Sequence, residues 1–570
     1  MKYFLLILLS FFSCTKAKEL HKNQLNIALT SNIATIDPAI SYDTVSSKVV
    51  YQIFESLYEY NYLIRPYQIK PLLAKDLPKI ENHGLKYTIK IKEKIFYHPS
   101  IALGDKKRAV TAKDFINQFK RIAFAGTNSS GWWLFDGKIV GINKFRKDVG
   151  NNFENFEKYN ISGLSAPDDH TLVINLTKPY PQLLSALSMC FTSPAPIEVI
   201  RSSNNDLNSL PIGTGPYIFE KWDKSSLLIL KKNPSYHDSY FPSKGDRYSY
   251  ENHLLEDAGK KLPFIDQINF KIIEESQTRW LNFLKGNVDL IVLTKDNFSI
   301  ALDKDGALKN DYLDQKIKLQ VAPTLTYWWL SFNMSDPLIG KNLKLRQAFS
   351  YAINIDEYIK KFTNNIALKA NSIYPPGVPG YSPTSTLPYY HDKAIAKKLL
   401  AEAGYPNGEG LPIFNYDVRG SSTVSRQMAE FVQKELSLIG INIKINLNTF
   451  PGFLNKSKIG NLQIWQGGWT MDYPDPENVV QLLISKNHPP GTNTSYYQNK
   501  EVDELYNKLS VSSDEDEIQQ LTSKIESIVN KDLPWIMQFY SRNYILHHGH
   551  VKNYRQSDLI MNNFKYLKLE

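Results

Sequence analysis

The chain has 570 residues, too many for one hydrophobic core, so its length predicts two or three domains. Hydrophobic residues make up 42% and charged residues 22%, an ordinary composition for a soluble globular protein. The formal net charge is +10, but the lysines are spread along the chain beside acidic residues, which argues against a nucleic-acid-binding face.

The first fourteen residues, MKYFLLILLSFFSC, contain one lysine, an apolar run and a small residue before Cys14. The run is too short to span a bilayer and is typical of a secretory signal. A cysteine directly after a small residue resembles a bacterial lipobox, so we predict a lipoprotein-type signal over 1–14 and lipidation of Cys14. Phe11 and Phe12 depart from that pattern, and the alternative is a plain secretory signal with an incidental cysteine.

Strand-like and helix-like stretches follow one another in mixed order, which predicts an α/β fold. Val45, Val49 and Ile53 recur at helical spacing, and Thr111 is a plausible N-cap for a second helix. We predict strands at 25–30, 86–98 and 170–176, helices within 41–60, 111–125, 343–362 and 391–406, a hairpin at 212–233, and a helix leading into a strand at 425–447.

Enzyme signatures are not found in the sequence. There is no GxSxG elbow, no GxxxxGK[ST] loop and no HExxH helix. The chain has two cysteines, and Cys190 lies in an apolar run that predicts a buried thiol. We interpret His547, His548 and His550 as an exposed turn, because no further metal ligand lies nearby. We therefore expect no catalytic residue, no metal and no cofactor.

Stretches in one consistent order resemble a known family, the extracellular solute-binding proteins of ABC peptide importers (family 5, the oligopeptide- and dipeptide-binding type). The most specific are PIGTGPYIFEKW (211–222) and GGWTMDYPDPENVV (467–480). The others include SNIATIDPAI (31–40), AVTAKDFINQFKRI (109–122), FLKGNVDLIV (283–292), NLKLRQAFSYAINIDEYI (342–359) and NTSYYQNKEVDEL (493–505). The resemblance covers nearly the whole mature chain.

This resemblance implies an α/β periplasmic-binding-protein fold of two lobes joined by a hinge, with an extra domain. We place a discontinuous N-terminal lobe at 15–60, 187–289 and 539–570, the extra domain at 61–186, and the second lobe at 290–538. In such proteins the ligand binds in the cleft and the lobes close over it by hinge bending.

The turn GGWTMDYPDP carries an acid between two large aromatic residues. The resemblance implies that an Asp shortly after a Trp holds the α-amino group of a peptide, and Asp472 stands at that position. A general peptide binder should grip ends and backbone, and an enclosed carboxylate binds an ammonium more strongly than an exposed one. The alternative is that Asp472 merely accepts hydrogen bonds from backbone N–H groups of its own turn.

The other end of a peptide needs a cation. In dipeptide binders an Arg between a strand and a helix holds the carboxylate, and Arg419 stands there, before a helix starting near Val424. A guanidinium fork suits both oxygens of a carboxylate. Alternatively, Arg419 is a surface residue or pairs with Asp417, in which case longer peptides would use a lysine further out.

Aromatic and backbone contacts complete the predicted site. Strand alternation puts Tyr327 and Trp329 on one face and Trp328 on the other, so that one set lines the cleft and the other the core. We include Tyr327, Trp329 and Trp469 as cleft walls. On the N-terminal lobe, Ser31 and Asn32 should lie near the cleft, where the backbone meets the peptide.

These features predict an exported, periplasmic or cell-surface lipoprotein that binds short peptides and delivers them to the permease subunits of an ABC transporter. We expect a monomer that is not an enzyme and binds no nucleic acid. The alternatives within the family are a nickel chelate, haem, a cell-wall peptide or an oligosaccharide; Asp472 argues against the last. The alternative from another class is an exported peptide hydrolase, which would need a nucleophile or metal constellation.

Overall fold

The computed structural model describes residues 23–104 and 107–570. The predicted signal and Cys14 lie outside the described residues, so export and lipidation stay predictions. Within those residues, no helix combines the length and apolar character needed to cross a bilayer.

Strands and helices are mixed along the chain, as predicted. The strands are β1 (Gln24–Leu29), β2 (Tyr58–Tyr60), β3 (Ile69–Pro71), β4 (Lys79–Glu81), β5 (Lys86–Lys90), β6 (Leu164–Asp168), β7 (Thr171–Asn175), β8 (Tyr217–Asp223), β9 (Leu227–Lys232), β10 (Gln267–Ile272), β11 (Leu290–Val292), β12 (Ile317–Phe332), β13 (Leu368–Lys369), β14 (Phe414–Val418), β15 (Ile443–Leu447), β16 (Ile464–Thr470), β17 (Trp535–His548), β18 (Val551–Lys552) and β19 (Lys568–Leu569). The helices are α1 (Thr44–Ile53), α2 (Ala112–Ala123), α3 (Ile142–Val149), α4 (Leu183–Ala186), α5 (Ile197–Ser202), α6 (Arg247–Glu251), α7 (Ser276–Leu284), α8 (Lys295–Ala301), α9 (Asn310–Leu313), α10 (Leu343–Ala352), α11 (Ile355–Thr363), α12 (Lys393–Glu402), α13 (Thr423–Ser437), α14 (Phe450–Lys458), α15 (Glu477–Val480), α16 (Lys500–Leu509) and α17 (Glu515–Asp532).

One predicted helix is divided in two. The stretch 343–362 forms α10 and α11, because the chain turns at Ile353 and Asn354. The Asn354 side chain accepts the backbone N–H of Glu357 and so caps the second helix, an effect that the helical spacing of apolar residues did not reveal.

Two long antiparallel strands, β12 and β17, run through the main sheet, whose order is β15-β14-β16-β12-β17-β11-β1-β10-β9-β8. Ile317–Pro323 pairs with Arg542–His548 beside β11, and Tyr327–Ser331 pairs with Trp535–Tyr540 beside β16. The register shifts between these two segments, at residues 324–326. The shift marks the place where the sheet passes from one lobe to the other.

The boundary predicted at residue 290 is therefore too early. Strand β11 pairs with β1 and β17 of the first lobe. Ile291, Leu302 and Ile317 share a core cluster with Phe283 and Leu546. This packing argues for a crossing near residues 324–326, because the residues before it fill the core of the first lobe.

The extra domain and the first lobe share one hydrophobic core. Its cluster contains Leu25 and Ile53 from the first lobe together with Phe115 and Phe119 of α2. A fully buried ion pair joins the same units, with Arg121 Nη2 2.6 Å from Asp37 Oδ2. The extra domain is thus bound to the first lobe through both apolar and charged contacts.

We predict that Arg121→Met lowers the free energy of unfolding by about 3–5 kcal/mol, because it leaves the Asp37 carboxylate buried without its cation. Urea unfolding followed by circular dichroism measures the change. Arg201→Met is the control, since the ion pair of Arg201 with Glu157 is exposed and should contribute nothing measurable. A loss for Arg121→Met no larger than that of the control would contradict the prediction.

Candidate functional site

The acidic loop, residues 472–477, leaves the end of β16 and contacts the opposite side of the cleft. Tyr42 of the first lobe donates its hydroxyl to Asp472 at 2.9 Å. Gln182 Nε2 donates to Asp475 at 3.2 Å. The ring of Trp133 stacks on Tyr473 with centroids 6.4 Å apart. The lobes therefore meet at this loop.

Asp472 is a largely enclosed carboxylate whose side-chain hydrogen-bond donors among the described residues are neutral groups, Tyr42 and Asn478. No cation forms an ion pair with it in the part of the chain that the structure describes. Burial raises the pKa of its carboxyl, because the ionised form loses solvation that neutral donors replace only in part. An ammonium entering here would supply the missing charge.

Asn478 holds this carboxylate in place. It is fully buried, and its Nδ2 donates to Asp472 Oδ2 at 3.1 Å. Its Oδ1 accepts both the indole N–H of Trp469 at 3.0 Å and the backbone N–H of Asp472 at 3.2 Å. Sequence reasoning missed Asn478 and Tyr42, because nothing in their spacing to Asp472 indicates a shared contact.

Arg419 follows β14 and is half-buried among aromatic rings. Its Nη1 donates to the carbonyl of Gly468 at 3.1 Å, and its guanidinium carbon lies 5.3 Å from the ring centroid of Trp328 and 5.4 Å from that of Phe450. No carboxylate among the described residues forms an ion pair with it, and Asp417 instead pairs with Lys456 at 2.7 Å. The interpretations of Arg419 as a surface residue or a partner of Asp417 are wrong.

Burial lowers the pKa of the Arg419 guanidinium. The side chain remains a cation at neutral pH, since the ordinary pKa of arginine is above 12. A half-buried guanidinium that pairs with no anion among the described residues is suited to bind a carboxylate of a ligand.

Gly468 is required by this packing. A Cβ at this position would lie 2.5 Å from the Trp328 ring and 2.6 Å from Arg419 Nη1. A side chain here would displace the guanidinium, which explains the glycine in this part of GGWTMDYPDP.

A cavity of about 330 Å³ lies beside Arg419. Its walls include Trp328, Ser425, Gln466, Phe539 and Ser541. The indole N–H of Trp328 donates to the Ser541 hydroxyl at 2.9 Å, which fixes one wall. The cavity is apolar with a few polar groups, as small-ligand sites usually are.

Alternation along β12 decides which aromatic residues line this cavity. Tyr327 is 0% and Trp329 6% exposed, and both pack in a core cluster with Trp535. Trp328 points to the other face, toward Arg419. The structure therefore corrects our choice of Tyr327 and Trp329 as cleft walls, because strand alternation turns them into the core.

The remaining predicted site residues, Trp469, Ser31 and Asn32, lie in two different places. Trp469 is half-buried beside Asp472, joined to it through Asn478. Ser31 and Asn32 are exposed just after β1, and Asn32 Nδ2 donates to Glu274 at 3.3 Å. Their contact with a ligand stays a prediction.

The histidine cluster differs from the predicted exposed turn. His547 is 7% exposed within β17, and His548 and His550 bond to the Phe283 carbonyl and to Asp289. Over residues 23–104 and 107–570, no group of three His, Cys, Asp or Glu side chains is arranged to hold a metal. Cys190 is buried as predicted, and burial raises the pKa of its thiol to about 12.

Residues 68–490 match the family described as bacterial extracellular solute-binding proteins, family 5 Middle. The chain belongs to family 5. This confirms the resemblance drawn from the sequence. As a member of family 5, the chain is a bacterial extracellular solute-binding protein.

Known relatives agree with this assignment. Glutathione-binding protein GsiB of Escherichia coli strain K12 is 23% identical over 519 residues, 90% of this chain and 87% of GsiB. DppA of Helicobacter pylori, solved with the peptide STSA, is 26% identical with a TM-score of 0.74, covering 96% of this chain and 98% of DppA. NikZ of Campylobacter jejuni, solved with Ni(L-His), is 20% identical with a TM-score of 0.71, covering 96% of this chain and 99% of NikZ. The predicted two-lobed fold is confirmed.

The acidic loop of this family 5 protein also carries Asp475 and Glu477. The Glu477 carboxylate accepts hydrogen bonds from the hydroxyls of Tyr473 and Tyr506. Burial first, and then the Glu477 charge, raises the pKa of Asp475 from 3.8 to about 6. The contact between Gln182 and Asp475 across the cleft is thus made by a carboxyl that titrates in a mildly acidic range.

We predict that the closed arrangement is favoured more at pH 5 than at pH 8, by up to about tenfold. Opening should expose Asp475 to water and so remove the part of its pKa shift that is due to burial, so closing takes up a proton, and this stabilisation is lost as pH rises through about 6. Small-angle X-ray scattering of the ligand-free protein at both pH values measures the open fraction.

Asp475→Asn should remove most of this pH dependence, while Asp238→Asn, an exposed aspartate beside Lys261, should leave it unchanged. An open fraction that is the same at pH 5 and pH 8 in the wild-type protein would refute the proton uptake.

Proposed function

We propose that this family 5 protein binds short peptides in the cleft between its lobes and delivers them to the permease subunits of an ABC importer. The observation that carries the proposal is the enclosed Asp472 carboxylate, which accepts hydrogen bonds from two neutral groups and, within residues 23–104 and 107–570, pairs with no cation. The α-ammonium of a peptide supplies the charge that the site lacks.

The backbone of the ligand has a strand edge to pair with. Strand β14 pairs with β16 only at Ile464 and Trp465. From Gln466 to Thr470, β16 has β12 on one side and, among the described strands, none on the other. An extended peptide added there would pair with backbone groups of this edge other than the Gly468 carbonyl, which Arg419 already binds, whatever the peptide's sequence.

The spacing of the two charged groups favours short ligands. Arg419 contacts Gly468, and Asp472 follows four residues later, a backbone separation of at most about 13 Å at about 3.3 Å per extended residue. Both charged groups therefore lie near the same short stretch of β16 and its following loop, which suits a ligand of few residues. We therefore propose di- and tripeptides, held at both ends by the second lobe.

The relatives support a small ligand without fixing it. DppA was solved with a peptide, GsiB is named for glutathione, and NikZ was solved with a nickel–histidine chelate. Peptides are favoured here because Asp472 and Arg419, neither of which has a charged partner in the part of the chain that the structure describes, match the two ends of a peptide. Mass spectrometry of the ligand that co-purifies with the native protein tests this, and a chelate or haem would refute it.

We further propose that the protein works outside the cytoplasmic membrane, held there by a lipid on Cys14, as a monomer without catalytic activity. The family's extracellular description and the small residue before Cys14 support this placement. An exported peptide hydrolase is the alternative, and incubation with a mixed peptide pool, with and without chelator, would detect it by turnover.

On anchoring, we predict that Cys14→Ser releases the protein from membranes into the soluble fraction, because the substitution removes the atom that would carry the lipid. Fractionation of cells and N-terminal mass spectrometry measure this. A native chain that retains Met1, or a variant that stays membrane-bound, would overturn the lipoprotein proposal.

On the amino end, we predict that acetylating the N-terminus of a peptide ligand weakens its binding by about 3–5 kcal/mol, the usual result of removing one partner of a buried pair. Isothermal titration calorimetry of matched free and acetylated peptides measures the change. In the Asp472→Asn variant, acetylation of the peptide should weaken binding little further, since both changes remove the same contact. Equal affinity of the two peptides for the wild-type protein would exclude this role of Asp472.

On the carboxyl end, we predict that Arg419→Ala weakens di- and tripeptides at least tenfold, because a charge-assisted hydrogen bond contributes about 1.5–3 kcal/mol. Amidation of the peptide should weaken binding to wild type similarly, and both changes together little more than either alone. Arg419→Lys should recover part of the affinity.

Arg426→Ala is the control for Arg419, because Arg426 is exposed on the helix that follows it. If amidated and free peptides bind the wild-type protein with equal affinity, Arg419 does not hold the peptide carboxylate. The same follows if the affinity losses from Arg419→Ala and from amidation simply add. The protein would then be a binder of longer peptides.

A further inference from the structure

A second cavity between the lobes, of about 460 Å³, lies along the first half of β12. Its floor is Gln320–Leu325, which includes the start of the register shift. Residues 65–67, 246–248 and 555–556 form one wall, and Pro376–Gly377 of the second lobe form the other. None of these residues lines the cavity beside Arg419.

The walls of this hinge cavity are mainly apolar and aromatic. They include Pro66, Tyr67, Tyr248, Val321 and Pro376. Tyr248 and Val321 are each 39% exposed, so large apolar surfaces face open space there. The volume is within the usual range for small-molecule sites, and such surfaces gain free energy when a ligand removes them from water.

The residues that line the hinge cavity include three arginines, Arg65, Arg247 and Arg555, and one carboxylate, Asp246, so the lining itself has an excess of positive charge. Arg555 pairs with Asp246 at 2.6 Å, which neutralises one guanidinium. Arg65 donates to backbone carbonyls and lies 4.3 Å from the Tyr67 ring centroid, but forms no ion pair with any described residue. A guanidinium beside an aromatic ring favours a ligand with a flat apolar body and one anionic group.

We propose that the hinge cavity binds a small amphipathic anion, an aromatic ring system bearing one carboxylate or sulfonate, and that its occupancy biases the angle between the lobes. The bias follows from geometry, because the two walls belong to different lobes and the floor contains the point where the strands shift register. A molecule that contacts both walls stabilises the arrangement in which both contacts exist.

The hinge cavity is separate from the proposed peptide site, since none of Asp472, Arg419, Tyr42 or Trp328 lines it. Binding at the two sites should nevertheless be coupled, because each ligand would favour a particular angle between the lobes. By linkage, an effect of the anion on peptide affinity must be matched by an equal effect of peptide on anion affinity.

The first test uses 8-anilinonaphthalene-1-sulfonate as probe, with fluorescence titration of the full mature chain. We expect one saturable site, and binding at least fivefold weaker for 1-anilinonaphthalene, which lacks the sulfonate. Arg65→Gln should remove the difference between the two probes. Absence of saturable binding, or equal affinity for both probes in wild type, would overturn the proposal.

Val321→Trp should fill the hinge cavity and weaken the sulfonate probe at least tenfold. Val511→Trp is the matched control, because Val511 is 38% exposed at a turn far along the chain from the cavity residues and receives the same enlargement. If Val321→Trp fails to fold, as judged by its unfolding midpoint, the smaller Val321→Phe takes its place. Equal binding by the Val321 and Val511 variants would locate the probe elsewhere and refute the site.

Binding of the probe in the peptide cleft is a separate outcome. The probe should bind Arg419→Ala and Asp472→Asn as tightly as wild type, and a loss there would assign it to the cleft and overturn the hinge site. Where a peptide ligand is in hand, saturating probe should change its affinity about fivefold or more, and Val321→Trp should abolish that change. A protein that binds the probe at Val321 but no peptide would refute the proposed function and leave the hinge site standing.

Discussion

The pairing of β12 with β17 is the constraint on which the rest of the structure depends. Each strand contributes its first half to one lobe and its second half to the other, so both strands cross between the lobes at one place. The shift in register between Pro323 and Tyr327 interrupts the strand pairing at this crossing. The contacts across the cleft include two hydrogen bonds and the stacking of Trp133 on Tyr473. Bending at the register shift would change the cleft while each lobe keeps its own core.

Two buried charges of opposite sign lie on the second lobe, each without a charged partner among the described residues. Asp472 is held by neutral donors, and Arg419 by a carbonyl and aromatic rings. Keeping such groups desolvated costs free energy in the empty protein. A ligand with an ammonium and a carboxylate at the right spacing would recover that cost, so the proposed preference for a short zwitterion would rest on electrostatics more than on shape.

Contacts across the cleft connect this chemistry to closure. Tyr42 of the first lobe reaches the same carboxylate that would hold the ligand amine, and Gln182 reaches Asp475 nearby. The acidic loop therefore carries both the proposed amine-binding carboxylate and the contacts across the cleft. Under the proposed function, capture of an amine and closing of the lobes would share one set of atoms and so be coupled.

The sequence by itself determined the mixed α/β elements, the family and the positions of Asp472 and Arg419, because periodicity, caps and collinear motifs are local along the chain. It did not reveal the break between α10 and α11, the lobe crossing near 324–326, or the orientation of Trp328 toward Arg419. It also missed Tyr42 and Asn478, which lie 430 and 6 residues from Asp472. Those features were decided only by the tertiary structure, since the sheet register and the packing of distant segments fix which side chains meet and how much water remains around them.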